Sequence, residues 1–177
     1  LAPLLAEARR QLHLEADYAA EARHLAAFGG LLAGSPAFRL PELCPEFCTP
    51  QVLAMTYVES QPIESLARAA QAERDRVMAD LVTLTLREIF EFGLMQTDPN
   101  LANYRLEPGT GRVVLLDFGA VAAIAPGQAQ AFRALLNAAL DRDPAAVRAA
   151  MLRIGYFDAT TAPQHQALIL KMFDLAM

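Results

Sequence analysis

Lysine is almost missing from this chain. Among its 177 residues only Lys171 is a lysine, and the net charge is −5. No run of basic residues exists, so a nucleic-acid partner is not expected. No apolar stretch approaches the roughly eighteen residues that a membrane-spanning helix requires. The two cysteines, Cys44 and Cys48, lie in a proline-containing loop with no third cysteine and no nearby histidine. That is too few ligands for a zinc site, and it reads as a pair of reduced loop thiols rather than a disulfide. His13, His24 and His165 share no spacing and read as structural or exposed. There is no internal repeat and no low-complexity linker.

What is present is apolar and rich in alanine. The apolar fraction is 54%, which favours helices, and the length suffices for one domain with a core. Residues 3 to 32 read as helix, ended by Gly29-Gly30 and Gly34-Ser35-Pro36. Phe38-Arg39-Leu40 is a short strand candidate, and Val52 to Val58, β-branched and aromatic after Thr49-Pro50, is a stronger one. Gln71 to Phe92 reads as a long helix. Its apolar positions Met78, Val82, Leu86, Ile89 and Phe90, with Val77, Leu81 and Leu84 beside them, exceed one stripe and predict a helix buried in the centre of a lobe. Two short strands, Tyr104 to Leu106 and Arg112 to Leu116, flank the turn residues Glu107-Pro108-Gly109-Thr110-Gly111. Beyond Ala125-Pro126-Gly127 the pattern is helical. Asp143-Pro144 marks one helix start, and Thr161 with Pro163 marks another. The fold class is α+β, predominantly helical.

The informative order of residues is Asp98-Pro99-Asn100-Leu101-Ala102-Asn103, a hairpin-like spacer, then Leu115-Leu116-Asp117-Phe118-Gly119. An Asp, an Asn five residues on, and a DFG after an apolar strand make the layout of a kinase-type phosphoryl-transfer site. In such a site Asp98 faces the acceptor hydroxyl or a water. A neutral amide beside carboxylates suits Mg²⁺, which prefers oxygen ligands, so Asn103 and Asp117 are the candidate metal ligands. An acid ending a buried strand also needs a cation or donors to offset its desolvation. On the first helix Asp17 and Glu21, four residues apart, share a face; such stacked like charges need something basic or a metal. Glu15, two residues before Asp17, points elsewhere.

The wording of the loop, Gln96-Thr97-Asp98-Pro99-Asn100, departs from the His-Arg-Asp of ordinary protein kinases. Together with Arg87-Glu88-Ile89-Phe90-Glu91-Phe92 and Asp117-Phe118-Gly119-Ala120, it resembles the UbiB family of atypical kinases, in the branch that supports coenzyme Q (ubiquinone) biosynthesis. The resemblance starts at Leu14-Glu15-Ala16-Asp17-Tyr18 and runs to Ala139-Leu140-Asp141-Arg142-Asp143. It implies a protein-kinase-like fold: a C-lobe with the αC helix and hinge strands of a truncated N-lobe. Residues 1–58 would be the partial N-lobe and 59–177 the C-lobe, truncated at its C-terminus. It also implies ATP and Mg²⁺ as cofactors. Glu15 and Asp17 match the family's Glu-x-Asp motif, and Glu21 matches the partner of the nucleotide lysine. Met55-Thr56-Tyr57-Val58 looks like the hinge, where the Thr56 carbonyl and the Val58 amide would read adenine.

The family's lysine strand, its alanine-rich nucleotide loop and its lysine-glycine-glutamine segment do not occur in these residues. The chain is therefore expected to be a fragment of a longer protein, with the parent an ATP-dependent kinase or ATPase. The fragment itself is expected to bind nucleotide weakly, turn over nothing and expose apolar surface. Two other readings stand beside this one: an inactive pseudokinase-type scaffold, and a small-molecule kinase of aminoglycoside-phosphotransferase type. No Ala-Pro-Glu and no phosphosite follow Asp117-Phe118-Gly119, and Ala120 to Gly127 runs into helix at once. A small or lipid-like acceptor, or simple ATP hydrolysis, is thus expected over protein phosphorylation. The resemblance implies quinone-pathway proteins or lipid at a membrane surface as partners. It implies the matrix face of the mitochondrial inner membrane in a eukaryote, or a membrane-associated cytoplasmic place in a bacterium.

Overall fold

The computed structural model describes residues 17–158 and 160–174. Glu15, His13 and the first part of the expected N-terminal helix lie outside the described residues. The chain forms two compact units, Leu1–Ala123 and Ile124–Met177.

In the larger unit, α1 spans Tyr18–Leu31. It starts at Asp17, whose Oδ1 accepts the Ala20 N–H at 2.9 Å, satisfying one of the donors that a helix start leaves open. Leu25, Phe28 and Leu32 form its buried stripe. A four-stranded sheet follows in the order β1-β5-β4-β2, from Phe38–Arg39, Val113–Leu115, Tyr104–Leu106 and Gln61–Pro62. The β4–β5 hairpin pairs Tyr104 with Leu115 and Leu106 with Val113. Its turn is closed by the Glu107 N–H on the Arg112 carbonyl and braced by an Arg112–Glu107 ion pair at 2.7 Å. β1 adds to the other side of β5 in parallel. Paired on both edges, β5 is buried at every position, the pattern of a strand covered on both faces. A second, two-stranded sheet joins β3 (Leu94–Gln96) antiparallel to β6 (Val121–Ala123).

α2 covers Gln71–Arg87 and continues as one π-helical turn, Glu88–Phe92. Gly93 ends it in the left-handed region at φ 65, where the lack of a Cβ avoids strain. The expectation of a fully buried helix does not hold. Val77, Leu81, Leu84 and Glu88 form a single inward stripe, while Met78 is 61% and Val82 51% exposed. Only one side of α2 meets the sheet-bearing core, so its apolar width exceeds what the unit covers. Residues 52 to 58 also differ from the expected strand. They are extended but pair only locally, through the Leu43–Met55 and Thr49–Val52 bridges. The partner segment is bracketed by Pro41 and Pro45, which lack N–H donors, so the ladder cannot lengthen. The β3–β6 sheet was not legible, because no turn joins its two short strands, which lie some 25 residues apart in the chain; β6 lies where the chain was expected to enter helix directly.

The core of this unit gathers Leu25, Phe28, Phe38, Val77, Leu84, Val113, Leu115 and Phe118. Phe28 sits at its centre: its ring lies 5.1 Å from that of Phe118 and 6.2 Å, edge-on, from that of Phe92. The smaller unit holds α3 (Pro126–Leu140), α4 (Pro144–Ile154) and α5 (Pro163–Asp174). Its core is Leu135, Ala138, Val147, Ala150, Met151 and Phe157. Asp143 caps α4 as expected, its Oδ1 accepting the Ala145 and Ala146 N–H groups at 3.0 Å.

Replacing Phe28 by Ala empties a fully buried position in contact with two other rings and should cost roughly 3–5 kcal/mol. Met78→Ala, on the uncovered side of α2, should stay within about 0.5 kcal/mol. Denaturant midpoints at unchanged slope test the pair. Equal costs would show that the outer side of α2 is covered after all.

Candidate functional site

Three segments meet at one cavity of about 760 Å³: the start of α1, the loop after β3, and the turn between β5 and β6. The lining is Tyr18, Glu21, Thr97, Asp98, Asn100, Asn103, Asp117, Gly119 and Ala120. The β3–β6 pairing brings the two loops together. It is extended by Thr97, whose N–H and hydroxyl both donate to the Ala120 carbonyl, at 2.8 and 3.1 Å. Asn100 caps the short 3-10 turn Leu101–Asn103 by accepting the Ala102 N–H at 3.1 Å. That turn places Asn103 back over Asp98, and the Asn103 amide donates to Asp98 Oδ2 at 3.0 Å. The Leu116 N–H donates to the Asn103 carbonyl at 3.2 Å, tying the loop to the end of β5.

Asp117 follows immediately. Its Oδ1 accepts the Gly119 N–H at 2.8 Å, and its carbonyl accepts from the Gln96 side-chain amide. A Cβ at Gly119 would stand 3.3 Å from Asp117 Oδ1 and 3.8 Å from Glu21 Oε2, so glycine permits this close approach. Phe118 turns away from the cavity into the core, and its N–H donates to Glu21 Oε1 at 3.5 Å.

The lining carries three carboxylates and no basic side chain. Burial pushes the Glu21 carboxyl above its ordinary value, the Phe118 N–H opposes this, and nearby Asp117 adds to the rise. Such an acidic concavity is complementary to a cation. Its free donor atoms are oxygens. The Asn103 nitrogen is engaged with Asp98, leaving Oδ1, and Asp117 Oδ1 is engaged with Gly119, leaving Oδ2. Among the described residues no three Asp, Glu, His or Cys side chains gather into a metal cage. Mg²⁺ is commonly held by one or two carboxylates, with water and phosphate oxygens completing its shell, and this donor set fits that mode.

The structure thus brings together Asp98, Asn103, Asp117 and Glu21. Asp17 caps α1 and does not line the cavity. Met55, Thr56 and Val58 are also elsewhere. Met55 packs on the core; Thr56 bonds Glu42 through both its N–H and its hydroxyl; Val58 lines a separate cavity of about 260 Å³ with Arg39, Tyr57 and Glu107. Four residues at or behind the cavity were not singled out from sequence: Tyr18, Gln96, His24 and Glu88. Gln96, Tyr18 and Glu88 stand inside the segments that carry the family resemblance, but nothing in their type announces a role, and His24 acts by position only. His24 Nδ1 lies 3.1 Å from the Phe118 carbonyl. Glu88 is buried in the π turn with Oε1 lacking a hydrogen-bond partner, and the Gln96 N–H bonds its carboxyl.

A model described as the ABC1 atypical kinase-like domain matches residues 1–151. The chain is 38% identical over 152 residues to the mitochondrial atypical kinase COQ8 of Saccharomyces cerevisiae, covering 86% of this chain and 30% of that protein. It is 38% identical over 135 residues to the mitochondrial atypical kinase COQ8B of Rattus norvegicus, covering 76% of this chain and 26% of that one. The chain therefore spans less than a third of the length of these curated relatives. Among solved structures it is similar to that of the Mycobacterium tuberculosis protein Rv3197 in complex with erythromycin. There the TM-score is 0.73 and the identity 24%, covering 95% of this chain and 43% of that one.

Burial raises the Glu88 carboxyl to about 7, partly offset by the Gln96 N–H. An acid with a raised native value favours folding below its unfolded value, near 4.5, and that contribution is lost as pH rises towards 7. Glu88→Gln should therefore flatten the fall in stability between about pH 4.5 and 7, and stabilise the protein at pH 8 by roughly 1–3 kcal/mol. Urea unfolding across that range tests this; an unchanged pH slope would mean that Glu88 is ionised and satisfied.

Proposed function

The chain belongs to the ABC1 atypical kinase-like family, and on that premise we propose that its acidic cavity is the metal-and-phosphate end of a Mg·ATP site. The fold is kinase-like, a mixed α and β architecture with helix predominating. The observation that carries the reading is the convergence of Asp98, Asn103 and Asp117 on one concavity without a basic side chain. Asn103 and Asp117 are the residues to hold Mg²⁺. When bound, the ion would screen the phosphate charges and stabilise charge developing on the transferred group. The chain's own residues do the rest. Asp98 orients the attacking hydroxyl or water through its carboxylate. The Asn103 amide keeps that carboxylate turned to the cavity floor. Gln96 and the Gly119 N–H hold Asp117 from its two ends.

The natural reaction we infer is ATP hydrolysis, or transfer to a small or lipid-like acceptor, in support of ubiquinone biosynthesis. Between Gly119 and Pro126 the chain makes only the three-residue strand β6 with short connections on either side, leaving no long segment on which a peptide would dock. The mitochondrial kinase names of the relatives support a mitochondrial setting in a eukaryote, which we place at the matrix face of the inner membrane as the family resemblance implies. No helix among the described residues is long and apolar enough to cross a membrane. Adenine would be read at Thr56 and Val58. As the family resemblance implies, Glu15 and Asp17 would shape the site as a Glu-x-Asp motif, and Glu21, on α1, would serve the nucleotide lysine.

In the full-length protein, Mg·ATP at a hundredfold excess over Kd should stabilise the fold by about 2.7 kcal/mol. Asp117→Asn should abolish that stabilisation. Asp98→Asn should keep it and lose ATP turnover. Thermal shift with and without Mg·ATP, beside a phosphate-release assay, tests both. Stabilisation that survives Asp117→Asn overturns the metal assignment, and binding without turnover in the unaltered protein favours the scaffold.

A further inference from the structure

Residue 118 is gripped by α1 at three points. Its ring, 1% exposed, lies against Phe28. Its N–H reaches Glu21 Oε1 at a long 3.5 Å. Its carbonyl lies 3.1 Å from His24 Nδ1, the shorter of the two polar holds. A carbonyl can only accept, so His24 Nδ1 must carry the proton. Glu21 and His24 are three residues apart on α1 and so share a face.

The carbonyl of Phe118 and the N–H of Gly119 belong to one peptide unit, which is planar and rigid. That N–H donates to Asp117 Oδ1 at 2.8 Å. A hold on one end of the amide plane therefore fixes the direction of the other. Without it, Gly119 has no side chain to oppose rotation of this peptide. The part-buried Phe118 carbonyl would then turn towards water and carry the Gly119 N–H away from Asp117.

We propose that His24 is a positioning residue for Asp117. Through the Phe118–Gly119 peptide it orients the donor that occupies Asp117 Oδ1 and leaves Oδ2 for a ligand in the cavity. It touches neither metal nor nucleotide. This rests on the reading of Asp117 as a metal ligand. It adds that the presentation of this ligand is set from α1 by an imidazole that no motif identifies.

The test uses full-length protein, with Mn²⁺ and ATP as probe and binding read by electron paramagnetic resonance. His24→Leu keeps bulk and removes the donor. His24→Asn places an amide nitrogen where Nδ1 stands. His24→Leu should weaken Mn²⁺ binding roughly tenfold, as expected when a hydrogen-bond partner one step behind a metal ligand is lost. His24→Asn should restore most of it at an unchanged melting temperature, a rescue that a packing role for His24 would not produce. Unaltered protein that binds Mn²⁺ while His24→Leu binds it equally well overturns the inference and leaves the site standing. No Mn²⁺ binding by the unaltered protein overturns the site and the inference with it. Should His24→Leu fail to fold, ¹⁵N spectra of the unaltered protein decide: a proton on Nδ1 supports the proposal, and a bare Nδ1 overturns it.

Discussion

The larger unit depends on a conflict at two adjacent residues. Asp117 must face a polar cavity, and Phe118 must sit in the middle of an apolar core. The β5 strand delivers both. It is buried along its length, so its direction is set by packing on each face and by pairing with β1 and β4. Just beyond its end, Asp117 faces the cavity and Phe118 joins Phe28 and Leu25 of α1 in the core. The buried ring is the anchor, because its burial is the largest favourable contribution at that turn. The carboxylate is then presented where its own hydration could not have placed it.

The same anchor organises the polar groups around it. Gln96, from β3, holds the Asp117 carbonyl; Glu21 and His24, from α1, hold the amide and carbonyl of Phe118. None of these is a strong interaction alone, since a typical net hydrogen bond is worth about 1 kcal/mol. Together they leave few orientations for the turn. The acids that remain are costly. Glu21 is raised by burial and by Asp117, and Glu88 is buried with an oxygen unpartnered. A fold that keeps such groups beside an acidic cavity gives up stability for a field that favours a cation.

The candidate site was largely legible in the amino-acid order, because phosphoryl-transfer chemistry demands particular oxygen donors at particular separations. Asp98, Asn103 and Asp117 could be named before any contact was known, and the β4–β5 hairpin between them followed from turn residues flanked by short apolar runs. The helix starts at Asp143 and Pro163 were legible for local reasons as well: capping and a fixed φ act within a few residues. Val52 to Val58 was misjudged as a strand because strand formation depends on a partner, and that partner lies between prolines.

Sequence alone determined the family, the kinase-like fold class and the identity of the chemical groups, since these rest on residue type, spacing and local propensity. Tertiary structure alone decided which side of α2 is covered, because periodicity reports apolar width and not the presence of a neighbour. It alone paired β3 with β6, short strands that no hairpin turn joins. It also gave His24 and Glu88 their places behind the cavity. A histidine and a glutamate on helices look the same in sequence whether they face solvent or a buried peptide. Only long-range packing, across 94 residues between His24 and Phe118, determines which.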